Sequence, residues 1–521
     1  MPAAWYQEAV FYELYLRAFC DSNGDGHGDL RGALSKLDYL QSLGVNCLWL
    51  LPHYPSPLQD DGYDVADYYG VHPDYGTLAD FRAFVAGAHA RGMRVVTDLV
   101  LNHTSDQHPW FQAARRDRQS PYHHYYVWSD TGAEYSGIRR VFPDFEPSNW
   151  TFDAAAGRYY WHRFFRSQPD LNFDNPAVAE EMWRIVRHWL DLGVDGFRLD
   201  AVIYLYEREG TDGAGLPETH AFIRQLRHLL ESEYPDRILI AEANDWPQRL
   251  MAYFGADDEC HLCFNFPLMP RLYLALLQAD KKPLVDIINA TPAPPPRAQW
   301  LNFLRNHDEL TLEMVTPEEG AALYAAYAPD PRMRINNGIR RRLGPLVGHD
   351  QRRWRLLKAL LLALPGAPIL YYGDEIGLSD NIALPDRYGC RTPMQWDASP
   401  SAGFTSAATP FLPVNADYAA VNVAAQAADA DSYLNWTRRL IHARQASPAL
   451  RRGALTWLES APPAVVAFRR QTADESVLCV ANLSDQPQAH GFGRFRAHDK
   501  LGQTWDPVWL PPYAAYWLEE A

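Results

Sequence analysis

The 521-residue chain predicts an α/β fold: a (β/α)8 barrel, a loop-rich domain inserted after strand three, and a C-terminal all-β sandwich. Three observations predict it. Eight short apolar runs alternate with amphipathic helical patterns, the count that closes a barrel. Several of the eight runs end in charged or amide residues. After about Ser447 the helical periodicity gives way to short β-like runs separated by turns.

The strand candidates are Val10–Leu16, Val45–Leu51, Arg94–Leu101, Gly196–Ala201, Arg237–Glu242, Cys263–Pro267, Gln299–Arg305 and Pro368–Tyr372. Helical patterns at Thr77–Arg91, Pro176–Leu192, Pro217–Glu233 and Asp350–Leu364 fill gaps between them. The regularity fails over residues 103–172, rich in aromatics, His and Arg, and over residues 309–348, which carry the run Arg340-Arg341-Arg342. The expected organisation is therefore a barrel over residues 1–102 and 173–447, an inserted domain at 103–172, a subdomain at 309–348 and a β-sandwich at 448–521. The arginine run reads as a salt-bridging helix face.

Composition narrows the function classes. Lys and Arg number 48 against 64 Asp and Glu, a net charge of −16 without a basic run, which argues against a nucleic-acid partner. No signal-peptide pattern and no long uncharged apolar run occurs, so a cytoplasmic protein with no membrane partner is expected. Six scattered cysteines do not form a disulfide framework, and Cys260-His-Leu-Cys263 lacks the second pair a zinc site needs.

Asp21-Ser-Asn-Gly-Asp-Gly-His-Gly-Asp29 sets oxygen donors at alternate positions with glycines between, the grammar of a Ca²⁺ loop. The expected ligands are the side chains of Asp21, Asn23, Asp25 and Asp29 and the carbonyl of His27, with Mg²⁺ as the alternative ion.

Within Gly193–Val202, Arg198 and Asp200 share one face of a strand. A guanidinium beside a carboxylate keeps it ionised, as a nucleophile requires, although a structural ion pair would read the same. Glu242 and Asp308 end two further strands. Retaining glycoside chemistry needs one carboxylate nucleophile and one carboxylic acid. Glu242 follows the apolar run Ile238–Ala241, where partial burial would favour its acid form. Asp308 beside His307, and His103 after Asn102, supply groups for sugar hydroxyls.

Asp98-Leu-Val-Leu-Asn102-His103, Gly196-Phe-Arg198-Leu-Asp200, Glu242 and Asn306-His307-Asp308 together resemble the α-amylase superfamily, glycoside hydrolase family 13, over nearly the whole chain. Gln168-Pro-Asp-Leu-Asn172 and Gly366–Glu375 support the resemblance. It implies Asp200 as nucleophile, Glu242 as general acid/base and Asp308 as transition-state stabiliser. It also implies a pocket for one terminal glucose, lined by Arg198, His103 and His307, with Asp60 as sugar ligand and Tyr63 as stacking platform. Phe164 and Gln168 would be walls, and Arg391 would pair with Asp60 at the back.

Ala201–Glu209, Leu216–Phe222, Ala241–Trp246 and Asn306–Met314 most resemble the branch that isomerises maltose and trehalose, which makes those disaccharides the implied substrates. A hydrolytic α-glucosidase acting on maltose-type or sucrose-type disaccharides is the alternative, and an inactive sugar-binding module the third reading. The branch implies a second Ca²⁺ site from Asn102, Asp170 and Glu207 with the carbonyls of Tyr204 and Leu205, and no organic cofactor. Arg139, Asn244 and Glu309 are expected to gate the pocket against water. Assembly into identical copies stays open.

Overall fold

A computed structural model describes residues 4–492 and 495–519. Eight parallel strands close the expected barrel: β1 (Phe11–Leu14), β2 (Cys47–Leu50), β3 (Arg94–Val100), β4 (Gly196–Asp200), β5 (Ile238–Ala241), β6 (Leu262–Phe264), β7 (Gln299–Phe303) and β8 (Ala367–Tyr371). Each pairs with the next, and β8 with β1. Nearly every strand residue is buried, because the barrel interior covers one face and helices the other. Charged residues inside such strands stand out against that background: Glu13, Asp98, Arg198 and Asp200.

The helices begin where the chain supplies caps. Thr77 forms a capping box with Asp80 ahead of Leu78–Ala90, and Asn175 caps Pro176–Asp191. The latter helix ends at Gly193, whose φ of 101° reverses the chain into β4. Pro217–Glu233 and Gln351–Ala363 stand where expected.

Two departures from the barrel rhythm rise over its C-terminal rim. Between β3 and β4, Trp128–Ser129, Arg158–Trp161 and Trp150–Asp153 form a three-stranded antiparallel sheet around Ile138, Trp150 and Trp161. After β7, Leu310–Thr311, Gly338–Ile339 and Arg334–Ile335 form a second small sheet beside the helix Pro317–Tyr327.

The arginine run is not helical. Arg340 donates to the carbonyl of Leu384, Arg341 pairs with Asp380 at 2.7 Å, and Arg342 lies over the rings of Tyr371 and Tyr372. The run follows a hairpin strand and ties carbonyls and carboxylates together, so its charge spacing reflected buried demand instead of a solvated face.

Pro448–Arg452 is also helical, capped by Ser447, so the C-terminal region is not all-β from its first residue. Beyond it lies a four-stranded antiparallel sheet, Ala454–Trp457, Val465–Gln471, Ser476–Asn482 and Ala515–Glu519, with a two-stranded ladder of Gln488–Ala489 and Trp509–Leu510. Alternation divides its burial: Val466, Phe468, Cys479 and Trp517 join the main core, while Val465, Ala467, Leu478 and Tyr516 build a separate one. All six cysteines are free and buried. Among the described residues no helix is long and apolar enough to cross a membrane.

Candidate active site

Arg198, only 1% exposed, organises the barrel mouth. Its Nη1 donates to Asp200 Oδ1 at 2.6 Å and to the carboxylate of Asp98, its register partner on β3. Its Nη2 meets Glu242 Oε1 at 2.5 Å. The rings of Trp49 and Tyr63 face the same guanidinium. Burial pushes the Asp200 carboxyl well up; Arg198 opposes that, and Glu242 and Asp98 add to it. Asp98 is pushed up to about 6, again by burial against the pull of Arg198. Asp200 and Asp98, two carboxylates on one guanidinium, are thus disposed to hold a proton.

Ala201, next after Asp200, sits at φ 48°, a conformation costly for a residue with a side chain. That turn sends its N–H to Glu242 Oε2 at 3.0 Å. The surroundings of Glu242 are therefore ionic, not the apolar setting that Ile238–Ala241 suggested.

His307 joins the second half of the site. Glu13 Oε1 lies 2.5 Å from its Nδ1 and accepts its backbone N–H, while Nε2 lies 2.9 Å from Tyr63 Oη and 3.1 Å from Asp308 Oδ2. Burial disfavours the imidazolium, but Asp308 and Glu13 overcome it and raise His307 to about 9. Burial likewise opposes ionisation of Asp308, and His307, Arg387 and Arg391 hold it well below the usual carboxylate range.

The expected Arg391–Asp60 pair does not form. Arg391 binds Asp61 at 2.6 Å, the His307 carbonyl and Asp308 at 3.2 Å. Arg387 takes the assigned place, holding Asp60 and Asp308 at 2.6 Å each. Two arginines four residues apart in a helix-poor loop gave the sequence no basis for choosing between them. Gln168 donates to Asp60 Oδ2 at 3.0 Å and lies 3.1 Å from His103 Nε2. Burial holds His103 neutral, with its pKa down to about 3.

These groups surround a cavity of about 140 Å³. Asp60, Tyr63, His103, Phe164, Asp200, Glu242, Asp308 and Arg387 line it. Arg198, Gln168, His307 and Arg391 are not among its lining residues and brace them from behind. Arg139, Val141 and Phe142 from one insertion and Glu309, Thr311, Glu313, Asn336 and Asn337 from the other complete the enclosure.

The acid that meets Arg139 is Glu313. Arg139 pairs with Glu313 at 2.6 Å and donates to Tyr204 Oη at 3.0 Å, and Asn244 Nδ2 donates to Glu313 Oε2 at 2.7 Å. Glu309 lines the same cavity as Glu313, its carboxyl pushed up to about 7 by burial despite Arg387. The residues that sequence reasoning missed are Glu13, Arg387 and Glu313. Only Glu13 carried a signal, a carboxylate within an apolar strand.

The two cation loops differ in fit. At the first, Asp21 accepts N–H groups of Asn23, Gly24 and Gly26, Asp25 accepts that of His27, and Asp29 accepts those of Ser22 and Gly32. The carboxylates of Asp21, Asp25 and Asp29 accept N–H groups of their own loop, as ligand carboxylates of a cation loop also do, so the Ca²⁺ or Mg²⁺ set of Asp21, Asn23, Asp25, His27 and Asp29 stays an expectation. Among the described residues no three His, Cys, Asp or Glu side chains converge as metal ligands. At the second, Asn102 Oδ1 and Asp170 Oδ2 are buried oxygens without a hydrogen-bond partner. Burial raises Asp170 well above its ordinary value, with the charge of Glu207 adding to it. Burial pushes Glu207 up to about 7. Such orphaned oxygens fit a hard cation.

The model of the α-amylase catalytic domain matches residues 13–325 and 332–453. The chain is 54% identical over 504 residues to a trehalose synthase/amylase of Mycobacterium tuberculosis, covering 94% of this chain and 84% of that protein. It is 52% identical over 504 residues to a trehalose synthase of Pimelobacter sp., covering 93% and 88%. The crystal structure of an α-glucosyl transfer enzyme aligns with a TM-score of 0.82 at 32% identity over 100% of both chains. The chain belongs to the α-amylase family.

Proposed function

We propose that the protein interconverts maltose and trehalose by retaining intramolecular transglucosylation, with some hydrolysis to glucose. The observation that carries the reading is a carboxylate pair, Asp200 and Glu242, bridged by one guanidinium inside a cavity that two insertions roof. Similarity to trehalose synthases supports the choice of substrate.

Asp200 attacks the anomeric carbon of maltose while Glu242 gives its proton to the glycosidic oxygen, and the C–O bond to the leaving glucose breaks. Arg198 orients the attacking carboxylate. Asp308, held anionic by His307, Arg387 and Arg391, faces the positive charge that develops on the ring. The freed glucose turns in place. Its anomeric hydroxyl then gives a proton to Glu242 and displaces Asp200, so two inversions return the α configuration in an α,α-1,1 link. Asp60 and Arg387 hold hydroxyls of the retained ring, and Tyr63, backed by His307 with rings 10° from parallel, offers it a flat face. Asn102, Asp170 and Glu207, with the carbonyls of Tyr204 and Leu205, would hold Ca²⁺, which supplies positive charge where β3 and β4 give way to loops.

Water must be excluded while the glycosyl–enzyme waits. Arg139, Glu313 and Asn244 close the roof, and beyond them lies an outer cavity that also touches Arg139, Tyr204, Asn244 and Glu313. That vestibule favours a second reading, a hydrolytic α-glucosidase that admits water through the same gate. Incubation with maltose separates them: mostly trehalose supports isomerisation, and glucose alone overturns it.

A further inference from the structure

The two insertions meet at a second point across the cavity mouth. Arg334–Ile335 and Gly338–Ile339 pair antiparallel, leaving Asn336-Asn337 as a two-residue hairpin turn with Asn336 at φ 46°. Both turn residues line the cavity. The backbone N–H of Asn336 donates to Asp144 Oδ2 at 2.7 Å, although Asp144 lies 192 positions away on the other insertion. Asp144 itself is exposed, and its neighbours hold its segment. Two residues before it, Phe142 packs on the pocket wall, its ring 5.4 Å from that of Phe164, with Arg387 against its face. Two residues after it, Glu146 pairs with Arg166 at 3.0 Å. The same turn presents Asn336 Oδ1 as a buried oxygen with no protein partner.

Resting on the isomerase reading above, we propose that Asp144 is a positioning residue. It pins the Asn336 turn over the leaving-group side of the cavity, so that the turn closes that side and keeps the freed glucose in place while it turns. A charge-assisted bond to a backbone N–H fixes the turn without adding a side chain to the cavity. The consequence is confined to the fate of the intermediate: forming it needs Asp200 and Glu242, while keeping glucose beside it needs the turn.

The test compares parent, Asp144→Ala and Asp144→Asn on two substrates. With maltose, the trehalose-to-glucose product ratio of Asp144→Ala falls by about tenfold, the size expected from a lost charged hydrogen bond. Asp144→Asn, which keeps an acceptor, recovers most of it. With p-nitrophenyl α-glucoside, whose leaving group need not be retained, the Asp144→Ala rate stays within about twofold of the parent, which also shows that the variant folds. A parent-like ratio in Asp144→Ala overturns the proposal, as does equal loss on both substrates. Absence of trehalose from the parent overturns the isomerase reading instead.

Discussion

The His307 imidazolium makes a sharp prediction, because both of its nitrogens face carboxylates. Burial would drive the ring neutral, yet Asp308 and Glu13 raise it to about 9 from an ordinary value near 6.5. That difference corresponds to about 3 kcal/mol between the two protonation states. The value is raised in the folded protein. Its contribution to stability is therefore complete below about pH 6.5 and is lost as pH climbs through about 9. Deprotonation also leaves a nitrogen lone pair against a carboxylate, either Glu13 or Asp308, and loosens Asp308 where charge develops. Glu13→Gln removes one of the two charges and leaves an acceptor, so His307 falls by about one unit. Hydrolysis of p-nitrophenyl α-glucoside from pH 5 to 10 reads this directly. The parent loses activity on an alkaline limb near pH 9, and in Glu13→Gln the limb moves to about pH 8. An unmoved limb, with the variant folded, refutes the argument that Glu13 sets the charge on His307.

Further outcomes follow from the same geometry. Asp200→Asn lowers maltose turnover by about four orders of magnitude or more, with an unchanged circular dichroism spectrum. Arg387→Leu leaves the buried Asp60 carboxylate without its cation and takes one of three from Asp308, and costs about 3 kcal/mol, read as a lower unfolding temperature. Arg387→Lys restores only part of that loss, because an ammonium cannot fork to both. Glu313→Gln weakens the contacts to Arg139 and Asn244, so the glucose share of the products from maltose rises; an unchanged share removes Glu313 from the gate. Added Ca²⁺ raises the unfolding temperature and a chelator lowers it. Asp170→Asn abolishes that response and Asp21→Asn does not; the reverse pattern would return the cation to the first loop.

The barrel was legible because its strands are apolar runs interrupted by functional charge. Arg198 and Asp200 stand two apart on β4, and period-2 alternation alone puts them on one face. Partner choice was not legible. Arg387 and Arg391 are equivalent in the sequence, and only the path of the loop gives Asp60 to the former and Asp61 to the latter. Nor does the sequence single out Glu313 as the partner of Arg139. Glu309 and Glu313 both follow β7 and line the cavity, one on each side of the strand Leu310–Thr311, and Glu313 pairs with Arg139. The acidic loop is ambiguous in another way. Alternate Asp and Asn with glycines suit a cation, but they suit capping of the loop's own N–H groups equally well. Neither hydrogen-bond direction nor the convergence of oxygens is written in spacing.

That division has a chemical counterpart. The parts read from the sequence, Asp200, Glu242 and Asp308 at strand ends, form and break a glycosyl–enzyme whichever acceptor arrives next. The parts that needed coordinates, Arg139 against Glu313 and Asp144 against Asn336, are contacts between two insertions far apart in the chain. They touch the leaving-group side of the cavity and leave Asp200 and Arg198 alone. Selecting between water and a retained glucose is a matter of a few kcal/mol in how long that side stays closed. A few kcal/mol is the scale of two surface-facing polar contacts, not of a barrel. Exchange of one fate for the other should therefore follow substitution in the roof while the rim is untouched, and the product ratio, more than the turnover rate, is the quantity that reports it.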